Sequence, residues 1–150
     1  MKFCISFITA FIFSLFILSP AYPKPEEEAK KNGRLITCLV FSMHTIPLLK
    51  ELEQTIKKKP QSPEVKASVD AVGGKSKIPL ALLDAELIIE TIANKISDRH
   101  IIIINEKLAT NPMWILANNF YTETTKNKTF NQKFSETFSY TQSCIDEFVQ

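Results

Sequence analysis

The chain has 150 residues, a formal net charge of +2, 45% hydrophobic and 23% charged residues, and three glycines. That length suits one compact domain with a single core, and nothing in it supports a division into two globular domains. The charge is too balanced to imply nucleic acid or an anionic membrane as the main partner.

Residues 1–21 read as a secretory signal peptide. Lys2 supplies the positive start, Phe3 to Leu18 form an apolar run, and Ser19, Pro20 and Ala21 put small residues where a signal peptidase reads. The run is shorter than the ~20 residues that span a bilayer, so cleavage after Ala21 is expected rather than stable membrane insertion. The mature protein is therefore expected to be secreted and extracellular. Cys4 leaves with the signal peptide, and Cys38 and Cys144 remain. Two thiols in one small domain of an oxidising compartment pair with each other as a rule. An internal disulfide and a monomer are expected, with a covalent dimer as the alternative.

Residues 22–33 are polar, carry two prolines and three successive glutamates, and read as a flexible N-terminal arm. The single helical domain is then expected over residues 34–150. From Arg34 to Lys59, Leu35, Cys38, Leu39, Ile46, Leu49, Leu52 and Ile56 share one face at a helical period. Pro47 lies inside this segment, which predicts a kink or a break into two shorter helices. The stretch LITCLVF would also suit a buried strand. Lys57 to Lys59 fit a helix C-terminus, and Pro60 stops continuation.

Ser62-Pro63 pairs a capping residue with proline at the first helical position, and Gly73-Gly74 gives the stop. Between them Val65, Val69 and Val72 recur at helical spacing, predicting a short helix. Leu80 to Ile96 is the most strongly helical segment, with Leu80, Leu83, Leu87, Ile88, Ile92 and Ile96 as its expected buried stripe. A further helix is assigned from about Asp98 to Ala109. Its four isoleucines, Ile101 to Ile104, would equally satisfy a strand. Asn111-Pro112 repeats the cap-then-proline signal and starts a helix carrying Met113, Trp114, Leu116, Ala117, Phe120 and Tyr121. After a polar loop over Thr122 to Lys128, the apolar stripe Phe130, Phe134, Phe138, Thr141, Cys144, Ile145 and Phe148 marks the last helix. Cys144 points inward, as Cys38 does, so the two readings agree on a bond between the first and last helices.

These elements describe an all-α, disulfide-clasped bundle of about five helices; the alternative is an α+β fold with Ile101 to Ile104 as a strand. Asn127-Lys128-Thr129 is the one glycosylation acceptor sequence, and Asn127 is expected to carry a glycan. His44 and His100 lack a carboxylate and nucleophile at any recognised spacing, and two isolated histidines make a poor zinc site. Gly73-Gly74-Lys75-Ser76 resembles the end of a phosphate loop, but its earlier glycine and upstream strand are missing. No catalytic residues, no metal and no cofactor are expected, and the protein is read as a non-enzyme. Two functions remain. The favoured one is a secreted protein that acts through its surface on an extracellular protein partner or receptor. The other is a small carrier holding an apolar, lipid-like or odorant-like molecule, lined by Trp114, Phe134, Phe138 and Leu87.

Overall fold

The computed structural model describes residues 25–59, 62–98 and 110–149. Among the described residues there are five helices: α1 (Pro25–Lys58), α2 (Pro63–Val72), α3 (Ile78–Asp98), α4 (Pro112–Thr125) and α5 (Phe130–Phe148), with a 3-10 turn over Lys75–Lys77 before α3. The protein is an all-α bundle in which the Cys38–Cys144 disulfide joins the first and last helices. The expected signal peptide, His100 and the Ile101 to Ile104 segment lie outside the described residues.

The chain divides between Lys30 and Lys31. In the first unit, residues 25–30 form the opening turns of α1, where Glu26, Glu27 and Glu28 meet the positive end of the helix dipole and Lys30 pairs with Glu26 at 3.1 Å. The helix therefore begins at Pro25, and residues 25–33 of the expected arm are helical. Proline suits this first position because its missing N–H would have had no intrahelical partner.

The second unit, residues 31–150, is built around α1. Leu35, Ile36, Cys38, Leu39, Val40, Phe41, Ser42 and Thr45 are all buried, so the helix is enclosed on nearly every side over this stretch and has no single stripe. This explains why it is long and apolar enough to cross a membrane: the same residues serve as the centre of the bundle. The helix runs unbroken through Pro47. Pro47 and Met43 are exposed, so the Met43 carbonyl that loses its hydrogen bond sits on the side facing water.

Two apolar clusters fill the interior. One joins Leu35 to Phe41 with Ile88, Ile92 and Ile96 of α3, Ala117 and Tyr121 of α4, and Cys144 of α5. The other joins Leu48, Leu49 and Leu52 with Val65 and Val69 of α2, Ile78 and Ala81 of α3, and Phe134 and Phe138 of α5. Residues 35–41 of α1 thus pack on the ends of α3 and α5, and its later turns on their beginnings. Both helices run antiparallel to it. Between the clusters lies a belt of buried hydroxyls: Ser42 and Thr45 from α1, Thr137 and Thr141 from α5.

Local signals set the helix ends. The Ser62 hydroxyl accepts from the Val65 N–H at 3.1 Å, and the Asn111 side chain accepts from the Met113 and Trp114 N–H groups. Gly73 closes α2 at φ 88°, the left-handed conformation glycine adopts without strain. Its N–H bonds to the Asp70 carbonyl, and that of Gly74 to the Val69 carbonyl. Thr129 and Gln132 form a reciprocal capping box at α5.

The expected α3 stripe needs correction. Ile88, Ile92 and Ile96 are buried, but their companions are Ile78, Ala81 and Ala85, whereas Leu80, Leu83 and Leu87 are 49%, 61% and 48% exposed. Two apolar rows run along this helix at the same period. The row holding small alanines is the one that lets α3 approach α1 and α5 closely. The last turn of α4 also reaches Thr125, beyond the expected loop start at Thr122, because the Thr125 hydroxyl turns inward and donates to the Tyr121 carbonyl at 2.9 Å.

Candidate functional site

α1, α4 and α5 meet at Phe41, which lies edge-on to Tyr121 at 5.2 Å, stacks on Tyr140 at 4.0 Å and has Phe120 at 5.9 Å. Arg34 stands two helical turns before Phe41 and so shares its side of α1. On α5 the same spacing sets Glu147 beside Tyr140. The result is a guanidinium 4.6 Å from the centre of the Tyr140 ring. Its Nε donates to Glu147 Oε2 at 2.9 Å and its Nη2 to Ser143 Oγ at 3.0 Å. A partly exposed pair of this kind stabilises by about 0–1 kcal/mol, and the cation–π contact by about 0.5–1 kcal/mol. Its main effect is to fix the Arg34 side chain against the aromatic group.

Phe120 carries this aromatic group to the surface at 51% exposure, and Leu116, one turn earlier on α4, is 67% exposed. Phe120, Tyr140 and Arg34 belong to residue types enriched at protein interfaces, and Leu116 adds exposed apolar surface beside Phe120.

The other flank of α4 makes a different arrangement. The His44 ring lies flat on Tyr121, with centroids 3.9 Å apart and planes within 2°, and Lys133 Nζ is 5.8 Å from the same tyrosine ring. Burial, and then the positive charge of Lys133, push the imidazole pKa below its ordinary value, against a hydrogen bond with Asn118 that favours the charged form. Asn118 in turn donates to the Trp114 carbonyl at 3.0 Å. Val40, Met43, His44, Trp114 and Asn118 border a cleft of about 120 Å³. Among the described residues no group of three His, Cys, Asp or Glu side chains is arranged to hold a metal ion.

The residues singled out in the sequence fall in separate places. Cys38 and Cys144 are bonded and fully buried, with Cα atoms 5.8 Å apart. Phe134 and Phe138 stack at 5.6 Å inside the second apolar cluster. Trp114 is half-buried against the first cluster, and Leu87 faces outward on α3. The four side chains named as a ligand lining therefore do not converge on one cavity. Asn127 is exposed in the turn between α4 and α5 at φ 58°, a left-handed conformation that asparagine tolerates better than most residues. The Thr129 hydroxyl, the third position of its acceptor sequence, accepts from the Gln132 N–H at the start of α5.

No protein family, curated protein or solved structure matches this chain. Sequence reasoning did not find the Arg34–Tyr140–Phe120 group, although two signals for it exist: the seven-residue spacings Arg34/Phe41 and Tyr140/Glu147. Connecting them requires knowing that α1 and α5 are antiparallel neighbours.

Proposed function

We propose that the protein is a secreted, non-enzymatic interaction protein that acts through its surface on an extracellular protein partner or receptor. The observation that carries this reading is the exposed Phe120 and Leu116 beside a Tyr140–Arg34 stack, apolar and aromatic surface set on rigid helices. The disulfide suits the oxidising environment of the secretory pathway, and a covalently closed bundle keeps its surface in shape outside the cell. The carrier reading has less support, because Phe134 and Phe138 are spent on the packed core and Leu87 lies outside it.

Native mass spectrometry of the secreted protein, glycan-trimmed, separates the two. A bare monomer two hydrogens lighter than the reduced chain is expected. A lipid-like adduct that leaves on denaturation would instead establish a carrier. Screening against receptor ectodomains and secreted proteins then tests the surface directly. Binding should be lost in Phe120→Glu with helicity unchanged and only the modest loss of stability that its ring contacts with Phe41 and Tyr140 imply, about 0.5–1.5 kcal/mol, and binding unaffected by that change removes the α4 face from the function.

A further inference from the structure

The outward side of α3 is a second surface that the bundle does not use. Leu80, Leu83 and Leu87 recur at spacings of three and four, and so form one continuous row diametrically opposite the buried Ala81, Ala85, Ile88 and Ile92. Three carboxylates flank the row: Glu86 and Glu90 on one side, Asp84 on the other. None of them makes an ion pair with another described residue. No lysine or arginine occurs from Ile78 to Asn94, in a chain whose total charge is positive. The Glu86 and Glu90 side of the leucine row is thus edged by negative charge that nothing on α3 neutralises, while on the other side Lys77 shares a hollow with Leu80 and Asp84.

We propose that this face docks a basic amphipathic helix of a partner protein, its apolar stripe against Leu80, Leu83 and Leu87 and its lysines or arginines against Asp84, Glu86 and Glu90. Charge complementarity selects this occupant. A second copy of the chain would set the same carboxylates against one another whether the two α3 helices met parallel or antiparallel, which is unfavourable. An anionic lipid surface would be repelled by the same rim. A helix is the fitting shape because a row of apolar side chains at helical spacing is read by a partner row of the same kind, in the helix-in-groove manner. The inference rests on the surface-acting reading and names the site and the chemistry of one partner.

The test uses the full secreted, oxidised protein and two synthetic 18-residue helix-forming peptides. Both carry leucine along one stripe, flanked in one by lysine and in the other by glutamate. The lysine peptide is expected to bind and the glutamate peptide not to. Leu83→Glu should weaken binding at least tenfold with the melting temperature unchanged, and Glu86→Lys with Glu90→Lys should exchange the peptide preference. Equal binding of the two peptides, or indifference to Leu83→Glu, overturns the proposal. So does a dimer in sedimentation that Leu83→Glu dissolves, since the occupant is then a second copy. A melting temperature lowered by Leu83→Glu also overturns it, because the row would then be needed by the fold itself. If receptor binding responds to Phe120→Glu while the lysine peptide fails to bind, the surface-acting function stands and the α3 site alone falls.

Discussion

The hydroxyl belt between the two apolar clusters allows a sharp prediction, because neighbouring threonines on one helix should respond to the same substitution with opposite sign. The Thr45 and Thr141 hydroxyls hydrogen-bond at 2.7 Å, either one able to donate, and Thr45 also lies 3.0 Å from the Phe41 carbonyl and 3.5 Å from the Thr137 carbonyl. Thr141 is therefore satisfied. The Thr137 hydroxyl, one turn earlier on α5, is fully buried and has no hydrogen-bond partner among the described residues. Leaving such a group unmatched costs about 1–3 kcal/mol, whereas a made hydrogen bond contributes about 0.5–1.5 kcal/mol net. Valine has nearly the shape of threonine without the hydroxyl. Thr137→Val should therefore raise stability by about 1 kcal/mol and Thr141→Val lower it by about 1 kcal/mol, each a shift of roughly 4 °C in melting temperature for a domain of this size. Urea and thermal unfolding of the oxidised protein, followed by circular dichroism, would resolve the difference. If Thr137→Val destabilises as much as Thr141→Val, the belt is a satisfied network and the reasoning fails.

Two further outcomes follow from the same geometry. Reducing the Cys38–Cys144 bond, which closes a sequence separation of 106, should cost about 4–5 kcal/mol by chain entropy, against a total of about 5–15 kcal/mol for a typical domain. Urea titrations with and without reductant measure this while both sulfurs stay in place, and an unchanged midpoint would refute the role given to the clasp. His44 should make stability pH-dependent. Its folded pKa lies below the unfolded value of about 6.5, so the unfolded chain binds more protons and stability falls as pH drops through 6.5 toward the folded pKa. Comparing unfolding at pH 7.5 and pH 5 should give a smaller loss in His44→Gln than in the parent, and equal losses would assign the dependence to other groups.

What could be read from the sequence was whatever depends on neighbours along the chain. Ser62-Pro63, Asn111-Pro112 and Gly73-Gly74 act on the backbone within a few residues, and each marks a helix end where the sequence placed one. The inward direction of Cys38 and Cys144 followed from periodicity, and the bond between them from there being two thiols to pair. Periodicity failed where it had two solutions. On α3 the row Leu80, Leu83, Leu87 and the row Ala81, Ala85, Ile88, Ile92 are both helical, and hydrophobicity favours the leucines. The choice is made by how closely α1 and α5 approach, which depends on alanine size and not on hydropathy. On α1 the stripe was an underestimate, since a central helix is apolar on all sides. The Arg34–Tyr140 contact was unreadable because it joins residues 106 apart in a chain whose helix directions were not known.

The way the bundle is held together also decides where function can reside. α5 is tied to α1 by the disulfide at one level, the Thr45–Thr141 hydrogen bond at another and the Arg34–Glu147 pair near the end, so the α1–α5 seam is committed to folding. The outward residues of α3 and α4 carry none of these bonds. Leu80, Leu83, Leu87 and Leu116 are 48–67% exposed at positions where polar side chains would cost no core packing, and Phe120 is half-exposed beside Leu116 on α4. Polar substitution at Leu80, Leu83, Leu87 or Leu116 should leave stability within about 0.5 kcal/mol, whereas at Phe120 it also removes the ring contacts with Phe41 and Tyr140. Apolar side chains retained where folding does not need them are the physical reason to look for partners on α3 and α4, and to look for them separately, since the α4 face presents an aromatic–arginine group and the α3 face a leucine row edged with carboxylates.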